Sequence, residues 1–172
     1  MSNMTIDHIR SIIVRQLDLG EDRVMMFNSK FQAPKDDDLF VAISFTSSAP
    51  ISNRIQYNAD TGLEEAIKLL TDEIITISIC SRSFEAMRRK EEVAMAMMST
   101  YAQGLMEKHG FKINRLSRIM NLSSIEGAAM LNRFDIIVNV IASYIVEKNV
   151  EYYDSFNGRL LIDPDEVIDF ET

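Results

Sequence analysis

Cysteine occurs once in these 172 residues, histidine twice and glycine six times, and each shortage removes a class of chemistry. One cysteine excludes an intrachain disulfide framework, and Cys80 falls in a strand-like run where a small buried thiol is the usual occupant. His8 and His109 occupy helical stretches without metal-ligand partners at the usual spacings, so no zinc site is expected, and His109 reads as a helix-end residue. The glycines are too sparse to cradle a phosphate, and GxGxxG, P-loop, HExxH and GxSxG patterns are missing. Acidic residues are numerous, but number alone does not make an acid/base pair. No catalytic, cofactor-binding or metal-binding residue is therefore assigned, and the chain reads as a non-enzyme without a cofactor.

Positive charge is also short, with 18 Lys and Arg against 26 Asp and Glu, a net charge of −8. That balance argues against a surface that tracks nucleic-acid phosphates. No run is long enough to span a bilayer. In the N-terminal stretch MSNMTIDHIRSIIVRQL, Arg10 and Arg15 interrupt any apolar signal region, which leaves an amphipathic helix with Ile6, Ile9, Ile13 and Leu17 along one side. The product is expected to be made and to act as a soluble protein in the cytoplasm of the producing cell.

What is present suits one globular domain: 47% hydrophobic and 26% charged residues over this length can build one core. The chain is organised around residues 72–110. There EIITISICS reads as a central strand, with Ile75, Ile77 and Ile79 on one face and Ile74, Thr76, Ser78 and Cys80 on the other. A single long helix should follow, capped by Ser83 and stopped at Gly110, with Phe84, Met87, Ala94, Met98, Tyr101 and Leu105 as its core stripe. Glu85 and Arg89 form an i,i+4 pair, so RRKEE reads as a solvent-facing, internally paired surface. Met87, Met95, Met97, Met98 and Met106 are too many for one stripe; core filling is favoured, with burial between subunits as the alternative.

Thr5 can cap the first helix, and Gly20 lies past its end. RVMMFN (23–28) and LFVAISF (39–45) read as strands, the second apolar on both faces and hence interior. Asp36, Asp37 and Asp38 lack the spacing of a calcium loop and read as a solvated turn. From 47 to 71 the pattern is ambiguous: 63–70 fits a helix or a strand equally, and the strand reading makes a long hairpin arm around ADTG. After the main helix, 111–124 contains a short strand, SSIEGAAM reads as a loop, and Phe134, Ile136, Val138, Val140, Ala142, Tyr144 and Val146 alternate along a long half-buried strand. Asn157-Gly158 signals a hairpin turn, with Pro164 and the acidic end limiting further pairing.

The order of these elements, carried by FVAISFTSSAPISNRIQYN, by EIITISICSRSFEAMRRKEEVAMAMMSTYAQGLMEKHGF and by NRFDIIVNVIASYIVEKNVEYYD, resembles the tail terminator, or neck terminator, proteins of long-tailed bacteriophages. The likeness covers most of 40–154. It implies an α+β fold: a single mixed or antiparallel sheet with helices mainly on one face, one domain over 1–172, and arms at 47–71 and 150–172. It further implies a structural virion protein of the neck, assembled in the host cytoplasm, that forms a ring of six subunits. That ring would cap the tail tube, end its polymerisation and offer a docking face to the head connector or stopper, with DNA passing non-specifically through its lumen. The partners implied are further copies of the chain, the tail tube protein, the connector and, in a contractile tail, the sheath, with no membrane. Two other readings remain open: another neck component such as a stopper, and a small cytoplasmic dimeric regulatory or ligand-binding protein.

Overall fold

The structure is a computed structural model and describes residues 5–27, 32–58, 64–126, 129–149, 157–163 and 166–171. In chain order the elements are α1 (Thr5–Leu17), a 3-10 turn (Glu21–Arg23), β1 (Val24–Met26), β2 (Phe40–Asn58), β3 (Glu64–Ser81), α2 (Glu85–Met97), α3 (Thr100–His109), β4 (Phe111–Leu116), β5 (Met120–Asn121), β6 (Ser124–Glu126), β7 (Ala129–Asn149), β8 (Asn157–Asp163) and β9 (Glu166–Glu171). The fold is α+β. Seven strands form one mixed sheet in the order β1-β2-β3-β7-β4, with β5 and β6 also pairing β7, and β8 pairs β9 separately. The chain divides into two compact units, Met1–Asn53 with Leu69–Tyr144, and Arg54–Lys68 with Ile145–Thr172.

In the first unit, the strand alternation and the helix stripes meet in one core. Ile75, Ile77 and Ile79 of β3, and Phe134, Ile136, Val138, Val140 and Ala142 of β7, pack under the helices with Val41 and Ile43. Each fully buried isoleucine contributes about 1.5–3 kcal/mol. The expected face of α1 is displaced slightly: His8, Ile9, Ile12, Ile13 and Leu17 are buried, whereas Ile6 is only partly so. The opposite sheet face carries a small cluster of Phe40, Cys80 and Leu131, so the helices lie mainly on one side. Cys80 is buried there, as expected.

The principal helix differs from its expectation in two ways. It breaks at Met98-Ser99 into α2 and α3, because the Ser99 side chain accepts a 3.2 Å hydrogen bond from the Ala102 N–H and starts a new helix. Its buried face is Val93, Met97 and the small residues Ala86, Ala96 and Ala102; of the expected stripe Ala94, Tyr101 and Leu105 pack partly buried against the core, while Phe84, Met87 and Met98 point to solvent. The start of α2 is held by the expected Ser83, whose Oγ accepts from the Glu85 N–H at 3.3 Å, and by a second serine. Ser81 Oγ, fully buried, donates to the Ser83 carbonyl at 2.7 Å and accepts from the Ala86 N–H at 2.9 Å.

Of the ambiguous stretch 63–70, residues 64–70 are extended and belong to β3, a hydrogen-bonded neighbour of β2, while Leu63 and the ADTG turn lie outside the described residues. The helical propensity of EEAIKLL loses to pairing along a neighbouring strand. SSIEGAAM is no loop, since Ser124, Ile125 and Glu126 pair with Leu131, Met130 and Ala129. LFVAISF is buried only as far as Ile43, and Phe45 is exposed.

In the second unit, Asn157-Gly158 opens β8 and is paired, with Asn157 opposite Glu171 and Gly158 opposite Phe170. Pro164 lies outside the described residues, and Asp163 and Glu166 on either side of it are paired. The register sets Leu160 against Ile168 and Leu161 against Val167.

Candidate interaction surfaces

The outer stripe of α2 is the largest departure from a closed monomer surface. Phe84, Met87, Met95 and Met98 recur at helical spacing, interrupted by Glu91, and are 52–68% exposed. Met97 alone of the neighbouring methionines is buried, and Met106 is half-buried, its sulfur accepting from the Ile113 N–H at 3.1 Å. Core filling therefore fails for three of the five methionines, which fall on the outward face of the helix, while Met97 on the inward face is buried. Single exposed apolar residues are ordinary, but four on one stripe mark an interaction surface.

A second apolar group lies at the β6–β7 hairpin, where Ile125, 81% exposed, pairs directly with the exposed Met130, close in sequence to exposed Leu122. On β2 the exposed Phe45 and Ile51 extend the register of buried Val41 and Ile43.

RRKEE is more than a solvated face. Arg89 contacts Glu85 at 3.5 Å and Glu92 at 2.8 Å, and its Nη2 donates to the Leu17 carbonyl at 2.8 Å, which ties α2 to the C-terminal end of α1. Asp36 is likewise a structural residue: it takes two 2.8 Å hydrogen bonds from Arg23 and accepts from the Asp38 N–H. The Arg23 hydrogen bond comes first among the causes that hold the Asp36 carboxyl below its usual range. Among the described residues, no group of three or more His, Cys, Asp or Glu is placed to hold a metal ion.

The two histidines that sequence spacing left apart are brought together. Their rings stack with centroids 4.0 Å apart, and His8 also stacks on Phe111 at 5.4 Å. They line a cavity of about 160 Å³ with Thr5, Ser143 and Tyr144. Burial, then the neighbouring His109, hold His8 below the ordinary histidine value, with Asp7 acting the other way. Beside them the Tyr144 hydroxyl donates to buried Glu73 at 2.5 Å, and Thr71 Oγ1 reaches the same carboxylate oxygen at 3.4 Å. Burial and then the Glu73 contact push the Tyr144 phenol up. No periodicity in the sequence marks this cluster, which joins α1, β3, α3, β4 and β7.

On the helix-free face the end of the sheet is basic. Lys112 pairs opposite Ile141 and Arg115 opposite Asn139, with Asn114 as an extra residue between them. Arg115, Ser117, Arg118, Ile137 and Asn139 line a shallow groove of about 350 Å³.

A sequence model described as phage neck terminator protein matches residues 6–163 of the chain. No curated protein matches it.

Proposed function

The chain belongs to the phage neck terminator protein family, and on that premise we propose that it closes the upper end of a phage tail as a ring of identical subunits. It is a structural protein of the phage neck, and the family match over 6–163 is the observation that carries the reading. In the proposed ring, each copy meets the next through different patches of its surface, and closure buries both. The methionine stripe of α2 and the open ends of the sheet are surfaces of that kind: apolar or unpaired in one copy and suited to cover by a neighbour. The completed ring stops growth of the tail tube and presents its other side to the head connector or stopper. DNA then passes through the lumen, where a chain of net charge −8 binds phosphates weakly. The work of this protein is assembly and not catalysis. Its place is the virion, at the top of the tail, reached after synthesis in the host cytoplasm.

The test is to add purified protein to growing tail tubes and to image them by negative stain. Ring-shaped caps at one end, with tube length fixed from the time of addition, are the expected result. Rings that join the head connector but leave the tube growing would reassign the chain to a stopper role. A strict monomer or dimer that never caps a tube would overturn the reading in favour of a regulatory or ligand-binding protein.

A further inference from the structure

We propose that the basic groove beside β4 receives the acidic C-terminal hairpin strand, β9, of a second copy of this chain. The inference rests on the ring reading above and names one of its contacts. Three observations meet at this edge.

The first is charge. Arg10, Arg23, Arg89, Lys90 and Arg133 each have a carboxylate at ion-pair distance. Among the described residues, Lys112, Arg115 and Arg118 have none, although all three are exposed and follow one another along β4 and the turn after it. In a chain of net charge −8 this is a local excess of positive charge. Asn139, which lines the groove, donates a 2.6 Å hydrogen bond to Asp72.

The second is shape. Ser117 ties the turn to β7: its N–H donates to the Ile137 carbonyl at 2.8 Å, and its Oγ accepts from the Ile137 N–H at 2.9 Å. The groove is thus fixed by Ser117, and Ile137 is the apolar residue that lines it together with Arg115 and Arg118. Beside it β4 pairs β7 on one side only among the described strands, so its other edge offers backbone donors and acceptors. The irregularity between Ile113 and Arg115, and the cations beside it, discourage pairing with strands in general. They admit one that brings negative charge.

The third is the occupant. After Arg159 the sequence holds Asp163, Asp165, Glu166, Asp169 and Glu171 and no Lys or Arg, interleaved with Val167, Ile168 and Phe170. The strand β9 spans Glu166–Glu171, six residues against the six of β4. Among the described residues β9 pairs β8 alone, which leaves one edge for augmentation. An extended acidic strand that lays Asp169 and Glu171 over Lys112, Arg115 and Arg118, with an apolar residue over Ile137, satisfies both sides. A nucleic-acid occupant is disfavoured, since three cations on a strongly acidic chain make a poor phosphate track.

The experiment crosslinks the full-length chain with a carbodiimide, which joins Lys112 to a carboxylate in contact with it, in an equal mixture of unlabelled and 15N-labelled protein, free and bound to tail tubes. The expected product joins Lys112 to Asp169 or Glu171 across the two isotopes. Reversing the groove (Arg115→Glu with Arg118→Glu) or the strand (Asp169→Lys with Glu171→Lys) should each lower the yield roughly tenfold or more through like-charge repulsion. For this comparison the yield is read at positions kept in each variant, Glu166 for the reversed strand. Both reversals on one chain should restore it to within about threefold, an effect that misfolding of either variant cannot produce.

Crosslinks only within one isotope would place the strand on its own chain and overturn the proposal. So would no crosslink from Lys112 to the terminus, or a mixed-sequence DNA fragment bound in a manner lost with the groove reversal. If reversed-groove protein still forms caps on tubes, this contact is wrong while the capping role stands. If wild-type protein never caps but the cross-isotope product forms, the capping role fails and the contact stands.

Discussion

Tyr144, Glu73 and Thr5 show how much one residue's surroundings decide. Glu73 is buried, and the Tyr144 hydroxyl is its shortest hydrogen-bond donor at 2.5 Å. Tyr144→Phe removes that donor and leaves an under-satisfied buried acceptor, which should lower stability by about 1–3 kcal/mol, read as a reduced urea midpoint with an unchanged slope. His8 makes a prediction in pH. Its folded value is depressed, so below the ordinary histidine value of 6.5 the unfolded chain takes up a proton that the folded chain does not. Stability is therefore full above that pH and declines as the pH falls from 6.5 toward the folded value. His8→Phe, which keeps a ring against Phe111, should flatten this decline in thermal melts taken between pH 7 and pH 5. Composition and spacing showed two histidines without partners. Only the fold showed that they are each other's neighbours.

At the scale of elements, helix ends carry the clearest consequences. Helix α1 ends with Asp18 at φ 52°, and the Leu19 N–H returns to the Val14 carbonyl at 3.2 Å, so an aspartate occupies the left-handed position that Gly20 was expected to serve. Helix α3 ends on Gly110 at φ 66°, whose N–H donates to the Met106 carbonyl at 3.0 Å, as its glycine stop signal implied. A methyl group at Gly110 meets open space, so Gly110→Ala should cost about 1 kcal/mol through backbone conformation alone. Asp18→Gly should gain up to about 1 kcal/mol at the matching position of α1. Chemical denaturation of the two variants beside the wild type checks both signs. The element that misled was residues 84–110. Its caps were legible, but apolar content drew the core stripe through Phe84, Met87 and Met98, whereas the packed face uses Ala86, Val93, Ala96 and Ala102. Hydrophobicity alone does not distinguish a residue that fills a core from one that covers an interface.

At the scale of the whole molecule, that exposed stripe is what a monomer does not need. Met95→Glu with Met98→Glu changes residues that contribute little to the folded chain, so the melting temperature should stay within the range of ordinary surface substitutions, about 0.5 kcal/mol. The same pair should abolish capping of tail tubes in the negative-stain assay, because two charges would be buried without partners in any contact over α2. Retained capping with both charges in place would remove α2 from the assembly surface.

The sequence by itself determined the class of the fold, the central strand with its three isoleucines, the long strand from Phe134 onward and the family the chain belongs to. All of these depend on periodicity and order along the chain, which local residue type sets. Tertiary structure decided that 64–70 extends, that 124–126 pairs with 129–131 and that Asn157-Gly158 opens a strand. It also stacked His8 on His109, brought Arg115 and Arg118 to one groove, and left Met87, Met95 and Met98 outside. Apart from 124–131, which pairs locally, weak or competing local preferences were resolved in these cases by partners further along the chain, and the energy of pairing and packing with those partners is absent from any short window of residues.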